Sequence, residues 1–298
     1  MTGVQTCALP IYKAGHSNTV GASNVFIGNE SGFSNIDDSS NVFLGNQAGY
    51  SSKASNNVFL GFQSGRNNRY GGNNVFLGYK TGYKNGDCYN DVFIGYQAGL
   101  NNVGGYDNVF IGSSAGESNT SGDNNVLIGK NAGLKNTEGG ANVFLGQAAG
   151  YYNTTGDFNL FFGNMAGYYS TTGRDNVFLG SQAGRDNSSG SYNVYLGNGA
   201  GHASDTAENN VILGNEAGYM NKSDNNVFIG YKSGRGNISG ANNVFLGYES
   251  GRINSSGNIN TFIGYQAGYT NSGGDGNVYF GNQAGYSNSS GNNNVALG

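Results

Sequence analysis

The sequence predicts an all-β fold, a parallel β-solenoid (β-roll) of about sixteen 17-residue coils. Three observations predict it. A unit of the form NVFLGxxAG begins at Asn24 and returns every 17 residues, or every 16 at two places, up to a partial copy at Asn294. The 298 residues include 55 Gly and one Pro, far from average globular usage. The 21 Tyr and 17 Phe recur at regular intervals, which disordered sequences lack.

The first element of each unit is a short strand. With the unit numbered 1 to 17, position 1 is Asn except at Asp91, and positions 2 to 4 are Val, Phe and Ile or Leu with few departures. A β-branched and aromatic run of three residues between glycines is typical of a strand bounded by turns. Such a unit cannot bury its own apolar face, so copies must stack at the strand spacing of ~4.8 Å, and sixteen of them would make a rod on the order of 75 Å long.

The remaining recurrent positions predict turns and ladders. Gly at positions 5 and 9 fits corners that need a positive φ or leave no room for a Cβ. Ala, Ser or Thr at position 8 fits a narrow interior. Asn at positions 1 and 12 is expected to form ladders, in which each amide bonds the same residue one coil away. Proline is absent from the repeats, as a hydrogen-bonded ladder requires.

Both faces of the strand are apolar, because Val and Ile/Leu share one face and Phe takes the other. We expect Val and Ile/Leu to fill the coil, and Phe to form a seam between parallel copies. A long exposed apolar stripe needs a cover, and a homotrimer is the natural closed arrangement. A wider coil that covers the stripe within one chain remains the alternative. The seam candidates are Phe26, Phe43, Phe59, Phe76, Phe93, Phe110, Phe144, Phe178, Phe228 and Phe245.

The variable position 10 carries Tyr or Arg in many coils, just after a glycine corner. Position 6 is often Tyr as well. Exposed rows of Tyr and Arg suit recognition of a surface glycan or a protein receptor. Ladders that merely shield the edge of the coil are the other interpretation. The candidate binding residues are Tyr50, Tyr83, Tyr151, Tyr168, Tyr219, Tyr269, Tyr286, Arg66, Arg185, Arg235 and Arg252.

The N-x-V-x-[IL]-G core, with a small residue and a second Gly after it, resembles the head repeats of trimeric autotransporter adhesins. It is also similar to the NVFLGYQAG-type repeats of bacterial tail-fibre-domain proteins. The resemblance covers Asn24 to Gly298 and implies a parallel β-roll that trimerises. The unit here is longer than the adhesin head unit, and position 3 is Phe where those repeats have a small residue.

The first residues share nothing with the repeat. Back-translated, MTGVQTCALPI resembles a short-read sequencing adapter, so residues 1–11 are interpreted as a non-native scar of environmental sequence data. Residues 12–23 are expected to be a partial first coil or an irregular cap, and residues 24–298 a single continuous repeat domain. Because Gly298 falls within a unit, the repeat domain is expected to be truncated there.

The composition offers few residues for a catalytic, metal-binding or cofactor-binding site. Outside the adapter-like stretch Cys88 is the single cysteine, and His16 and His202 are the only histidines, so no metal site, cofactor or catalytic residue is predicted. A net charge of −4 with 14 Lys and Arg disfavours nucleic acid as a partner. No apolar run approaches the ~20 residues of a membrane span.

The expected function is therefore a non-catalytic structural or adhesive rod, extracellular, on a cell surface or a virion appendage such as an adhesin or a tail fibre. A ligand-recognition solenoid is the alternative, binding glycan or ice through an outer Tyr/Arg or Asn/Thr face. An ice-binding face wants a regular Thr grid, whereas Thr154, Thr155, Thr171 and Thr172 are a local group.

Overall fold

The structure is a computed structural model that describes residues 11–298; residues 1–10 of the adapter-like stretch lie outside the described residues. The chain divides into two compact units, Met1–Asn131 and Ala132–Gly298. Each unit is a parallel β-solenoid with coils of about 17 residues, as predicted, and the described residues contain no helix. The single repeat domain over residues 24–298 stays a prediction.

Every coil contributes one strand of three residues, at positions 2 to 4. The first unit contains β1 Val25–Ile27, β2 Val42–Leu44, β3 Val58–Leu60, β4 Val75–Leu77, β5 Val92–Ile94, β6 Val109–Ile111 and β7 Val126–Ile128. The second contains β8 Val143–Leu145, β9 Leu160–Phe162, β10 Val177–Leu179, β11 Val194–Leu196, β12 Val211–Leu213, β13 Val227–Ile229, β14 Val244–Leu246, β15 Thr261–Ile263, β16 Val278–Phe280 and β17 Val295–Leu297.

Strands pair in parallel with the strand of the next coil, from β1 to β7 in one unit and from β8 to β17 in the other. The register is strict, because each residue pairs with the same position one coil away, as Phe43 does with Phe59. Each column of the repeat is therefore a physical row of side chains along its unit.

The Phe column lies inside the coil, so the prediction that Val and Ile/Leu fill the interior and Phe forms an intermolecular seam is wrong. Phe26 in the first coil is half-buried, and the other nine candidates are fully buried. The rings stack at the strand spacing; those of Phe43 and Phe59 have centroids 4.8 Å apart and planes 6° apart. The nine fully buried candidates are Phe43, Phe59, Phe76, Phe93, Phe110, Phe144, Phe178, Phe228 and Phe245.

The glycine at position 9 makes room for these rings. A Cβ added to Gly65 would lie 2.5 Å from the ring of Phe59, and its φ of +57° is left-handed. Beside it, the small residue at position 8 is buried as predicted: Ala48 has no exposed surface, and Ser31 Oγ donates to the Phe43 carbonyl at 3.0 Å. The interior is thus a large ring set against small residues.

Consecutive β-turns lead the chain away from the strand. In the coil of Asn41, the N–H groups of Ala48 and Tyr50 donate to the carbonyls of Gly45 and Gln47, each at 3.3 Å. The third residues of these two turns, Gln47 and Gly49, have φ of 55° and 58°, as type II turns require. The glycine at position 9 was expected, but the left-handed conformation of the non-glycine residue at position 7 was not.

The two predicted asparagine ladders are present and buried. At position 1, the N–H of Asn74 donates to Oδ1 of Asn57 at 2.9 Å, and Asn57 Nδ2 donates to the Gly71 carbonyl at 3.0 Å. At position 12, Asn85 Nδ2 donates to Oδ1 of Asn68 at 2.8 Å. These amides satisfy backbone groups of the turns that would otherwise be buried without partners.

The two shortened coils lose a residue from the bend at positions 13 and 14. In each, a lysine occupies position 13. The carbonyl of the residue after it accepts a hydrogen bond from the position 1 Asn of the next coil: Asn57 Nδ2 donates to Ala54 and Asn226 Nδ2 to Ser223, each at 3.2 Å. The position 1 ladder continues across both deletions, with Asn57 N–H donating to Asn41 Oδ1 and Asn226 N–H to Asn210 Oδ1, each at 2.9 Å, because this bend lies outside it.

Residues 12–23 make the same contacts as the corresponding part of a full coil. The N–H of Gly15 donates to the Ser31 carbonyl of the next coil at 2.8 Å, and Gly15 has a φ of 58°. Asn18 Nδ2 donates to the Gly21 carbonyl at 3.2 Å, as position 12 does elsewhere.

Candidate functional site

The predicted recognition column at position 10 is half-buried in both units. Its tyrosines stack on the same position of the next coil, with centroids 5.0 Å apart for Tyr151 and Tyr168 and 4.9 Å for Tyr269 and Tyr286. Because each ring covers a face of its neighbour, little ring face is left on which a sugar could stack.

Arginines at position 10 continue the stack where a tyrosine is missing. The guanidinium carbon of Arg66 lies 4.9 Å from the ring centroid of Tyr50 and 5.9 Å from that of Tyr83. Arg235 lies 5.2 Å from the ring of Tyr219. These are cation–π distances, so each guanidinium shields a ring face in the way another ring would.

Position 7 supplies acceptors for the same arginines. Arg235 Nε donates to Glu216 Oε2 at 2.8 Å, and this hydrogen bond is the largest cause of the lowered pKa of Glu216. Arg66 Nε donates to Gln47 Oε1 at 3.1 Å. The eleven candidates therefore form ladders along position 10, one set in each unit, and their arginines lie over the rings of neighbouring tyrosines. Recognition of a ligand by this column stays a prediction.

The tyrosines at position 6 are more accessible than those at position 10. Tyr79 and Tyr96 are 40% and 52% exposed and stack with centroids 5.2 Å apart. In the second unit Tyr231, Tyr248 and Tyr265 form a ladder of the same spacing. What these ladders present to solvent is a row of ring edges and phenol groups.

The local threonine group is tied into the coil. Thr154 Oγ1 donates to the Thr171 carbonyl at 3.0 Å, and Thr171 Oγ1 donates to the Ser188 carbonyl at 2.8 Å. These hydroxyls are engaged along the solenoid, which leaves Thr155 and Thr172 as the exposed pair.

One group of side chains was not singled out from the sequence. Lys53, Arg69 and Lys84 line two adjoining grooves of the first unit. The signal that could have found them is the charge distribution, since residues 53–84 contain no Asp or Glu.

Metal-binding and membrane-spanning features were sought in residues 11–298. In this range no three His, Cys, Asp or Glu side chains cluster in a way that could hold a metal ion. No helix in the same range is long and apolar enough to cross a bilayer.

Comparison with known proteins gives no significant match to a family model, to a curated protein or to a solved structure.

Asp91 places a carboxyl group in the position 1 ladder, where all the other coils have an amide. The side chain has no exposed surface, and burial is the main cause that raises its pKa from 3.8 to about 8. Its Oδ1 accepts from the Asn108 N–H at 2.9 Å and its Oδ2 from Asn102 Nδ2 at 3.1 Å. Nearby Cys88 is buried too, and burial raises the pKa of its thiol to about 12, which keeps it from reacting as a thiolate.

We expect the stability of the first unit to fall as the pH rises from about 4 to about 8. Over that window the folded chain keeps a proton on Asp91 that the unfolded chain has lost, so the free energy of unfolding decreases by up to ~1.4 kcal/mol per pH unit. Asp91→Asn should abolish this slope and raise the melting temperature at pH 8, because an amide needs no proton.

Melting curves of both proteins between pH 4 and pH 9 test this expectation. The exposed Asp87→Asn is the matched control, since it removes the same charge without changing the ladder. A parallel pH dependence in Asp91→Asn and the parent chain would contradict it.

Proposed function

We propose that the chain is a non-catalytic structural or adhesive element, extracellular and part of a cell-surface or virion appendage, that associates with copies of itself. The observation that carries the proposal is the outer face of the sheet. With Phe inside, the Val and Ile/Leu columns point outward, and in β8–β17 these side chains are all half-buried or exposed, with Leu246 41% exposed and Val278 41%.

The size of this stripe supports a partner. Ten strands at a spacing of ~4.8 Å make it about 43 Å long in the second unit. Two columns of side chains over that length approach the largest apolar patches of soluble monomers, ~300–600 Å². A stable interface buries ~800 Å² per partner, so it would also include the flanking position 6 column, where Tyr231, Tyr248 and Tyr265 are exposed.

A homotrimer is the proposed assembly. Parallel copies related by a closed rotation would place identical Val and Leu columns against each other, and no end of the arrangement would be left open. The resemblance of the repeat to trimeric adhesin heads agrees with this geometry.

Light scattering on the full chain is expected to give three times the 30.9 kDa chain mass. Leu246→Lys should return it to the mass of one chain, because a lysine on the stripe would need to be desolvated in the interface. The side chain already contacts solvent, so the fold should tolerate the change.

Thr172→Lys is the matched control, as it adds the same charge at the exposed bend outside the stripe. The assembly should survive that substitution. A parent chain that scatters as a monomer at micromolar concentration would refute self-association and leave the uncovered stripe to another protein.

Recognition of a ligand through the position 6 ladder is the second candidate, favoured by the exposure of Tyr79 and Tyr96. Binding of the chain to an array of surface glycans, lost in Tyr79→Ser/Tyr96→Ser and kept in Tyr50→Ser, would support it. Equal binding by both variants would count against this ladder.

A further inference from the structure

Positive charge is concentrated in one stretch of a chain that is negative as a whole. The net charge is −4, yet residues 53–84 contain five of the 14 Lys and Arg and no acid. Stacking brings these coils together within a few strand spacings, so their charges share one region of the first unit. The five residues are Lys53, Arg66, Arg69, Lys80 and Lys84.

Three of the five cations line two adjoining grooves between the columns of positions 11 and 13. The larger, of about 500 Å³, is lined by Asn67, Arg69, Lys84, Gly86, Asp87 and Val103. The smaller, of about 220 Å³, is lined by Ser34, Ser51, Lys53, Arg69 and Tyr70. Arg69 lines both, so the two grooves adjoin at this side chain, and we call them together the cationic groove.

The cations of this groove are free to bind an anion. Within residues 11–298, neither Lys53, Arg69 nor Lys84 forms an ion pair, and all three side chains are exposed. Asp87 lines one end, and Asp38 is close enough to Lys53 to interact with it electrostatically. Positive charge prevails between these two acids.

Tyr70 distinguishes the groove from the aromatic ladders. It is 57% exposed, and no other aromatic ring of the described structure stacks on it. Its ring face is therefore available to a ligand, unlike the faces at positions 6 and 10. Beside it, Ser34 and Ser51 offer hydroxyl groups that can donate and accept hydrogen bonds.

We propose that the cationic groove binds an acidic polysaccharide built of uronic-acid sugars. The carboxylates would pair with Lys53, Arg69 and Lys84, with the guanidinium fork of Arg69 suited to a bidentate contact. One sugar ring packs on Tyr70, and its hydroxyls bond the serines and Asn67. The coil rise of 4.8 Å, seen between the rings of Phe59 and Phe76, is close to the length of one hexose, so successive coils meet successive sugars.

Nucleic acid fits this groove less well. A duplex carries one charge per ~1.7 Å of its axis, a far denser row of charges than the three cations of the groove can match. Single strands are held by several aromatic rings on which successive bases stack, whereas the groove offers Tyr70 alone.

The corresponding groove of the second unit has no excess of positive charge, because its two cations are matched by two acids. It has about 480 Å³ and contains Tyr169, Arg185, Asp186, Asp205 and Lys222 among its lining residues. Arg185 pairs with Asp186 at 2.9 Å, so cation and acid neutralise each other. Lys222 occupies the position of Lys53 in the other shortened coil, which makes it a matched control.

Calorimetric titration of the full chain with oligogalacturonate tests the proposal. We expect binding that weakens as salt increases, because the contacts are ionic. Lys53→Gln/Arg69→Gln should reduce the affinity about tenfold or more, and Tyr70→Ser should reduce it without changing the salt dependence. Lys222→Gln/Arg174→Gln removes the same charge from two exposed side chains of the second unit, Arg174 lying outside its groove, and should leave the affinity within about twofold.

Three results would overturn the proposal: no binding of oligogalacturonate at low salt, an equal loss in the two double variants, or tighter binding of a single-stranded oligonucleotide of equal charge. Unchanged melting temperatures would show that the variants fold, as expected for exposed side chains. The site does not depend on self-association, because the stripe at positions 2 and 4 contributes nothing to it.

Discussion

Gly146→Ala is expected to unfold the coils around it, with a local loss of at least ~3 kcal/mol. Gly146 has a φ of +137°, and an added Cβ would lie 2.5 Å from the carbonyl oxygen of Gly163 in the next coil. Alanine would therefore meet two difficulties, and neither can be relieved by turning a side chain. This φ is strained for any residue with a Cβ, and the Gly163 backbone cannot move away without disturbing the register of its own coil.

Hydrogen exchange of backbone amides measures this loss coil by coil, which suits a repeat protein better than one global transition. Protection should fall in the coils that contain Gly146 and Gly163. Gln147→Ala is the control, since it changes the adjacent exposed residue and should leave protection unaltered. Native exchange rates in Gly146→Ala would show that the position 5 corner tolerates a side chain.

Phe178→Ala should have the second largest effect, a loss of ~3–5 kcal/mol. The ring has no exposed surface and stacks between Phe161 and Tyr195, with both centroids 4.8 Å away. Alanine would leave a cavity that cannot collapse, because the strands on either side are held by their own ladders.

Phe178→Leu is the matched variant and should cost much less, ~1 kcal/mol or slightly more. Leu127 and Ile212 occupy the same buried position in other coils, so the interior accepts an aliphatic side chain of that size. Denaturant unfolding and hydrogen exchange of the three proteins check the order. A similar loss for Leu and Ala would mean that the aromatic stack, rather than filled volume, stabilises the interior.

The period, the strand, the glycine corners and both asparagine ladders could be predicted, because copies within one chain show which residue types each position accepts. The face that lies inside could not be decided, since Val, Phe and Leu are all apolar. A finer signal exists in the exceptions. Thr261 at position 2 and Phe162 and Phe280 at position 4 differ in polarity or size from the usual residue, which an exposed face tolerates and a packed interior does not.

The cationic groove was harder to predict for a geometric reason. Lys53 and Arg69 stand at position 13 and Lys84 at position 11, so no single column of the repeat collects them. They become neighbours only when coils stack and place Arg69 at the edge of both grooves. Comparing the same position in successive coils therefore reveals the ladders, but it does not reveal a site whose residues come from different positions.

The strict register has a consequence for how the chain folds. Within each unit the ladder bonds between coils join residues 16 or 17 apart, such as Asn57 to Asn41 and Asn74 to Asn57. Each coil therefore closes a loop of the same short length, so folding can begin at any coil and spread, at a rate that depends little on the number of coils. The same regularity invites an error: two coils that are not neighbours match column for column, and their pairing would exclude the coil between them as a loop. The differences at positions 6, 10 and 13, which the ladders do not require, are what distinguish the correct neighbour from the next one along.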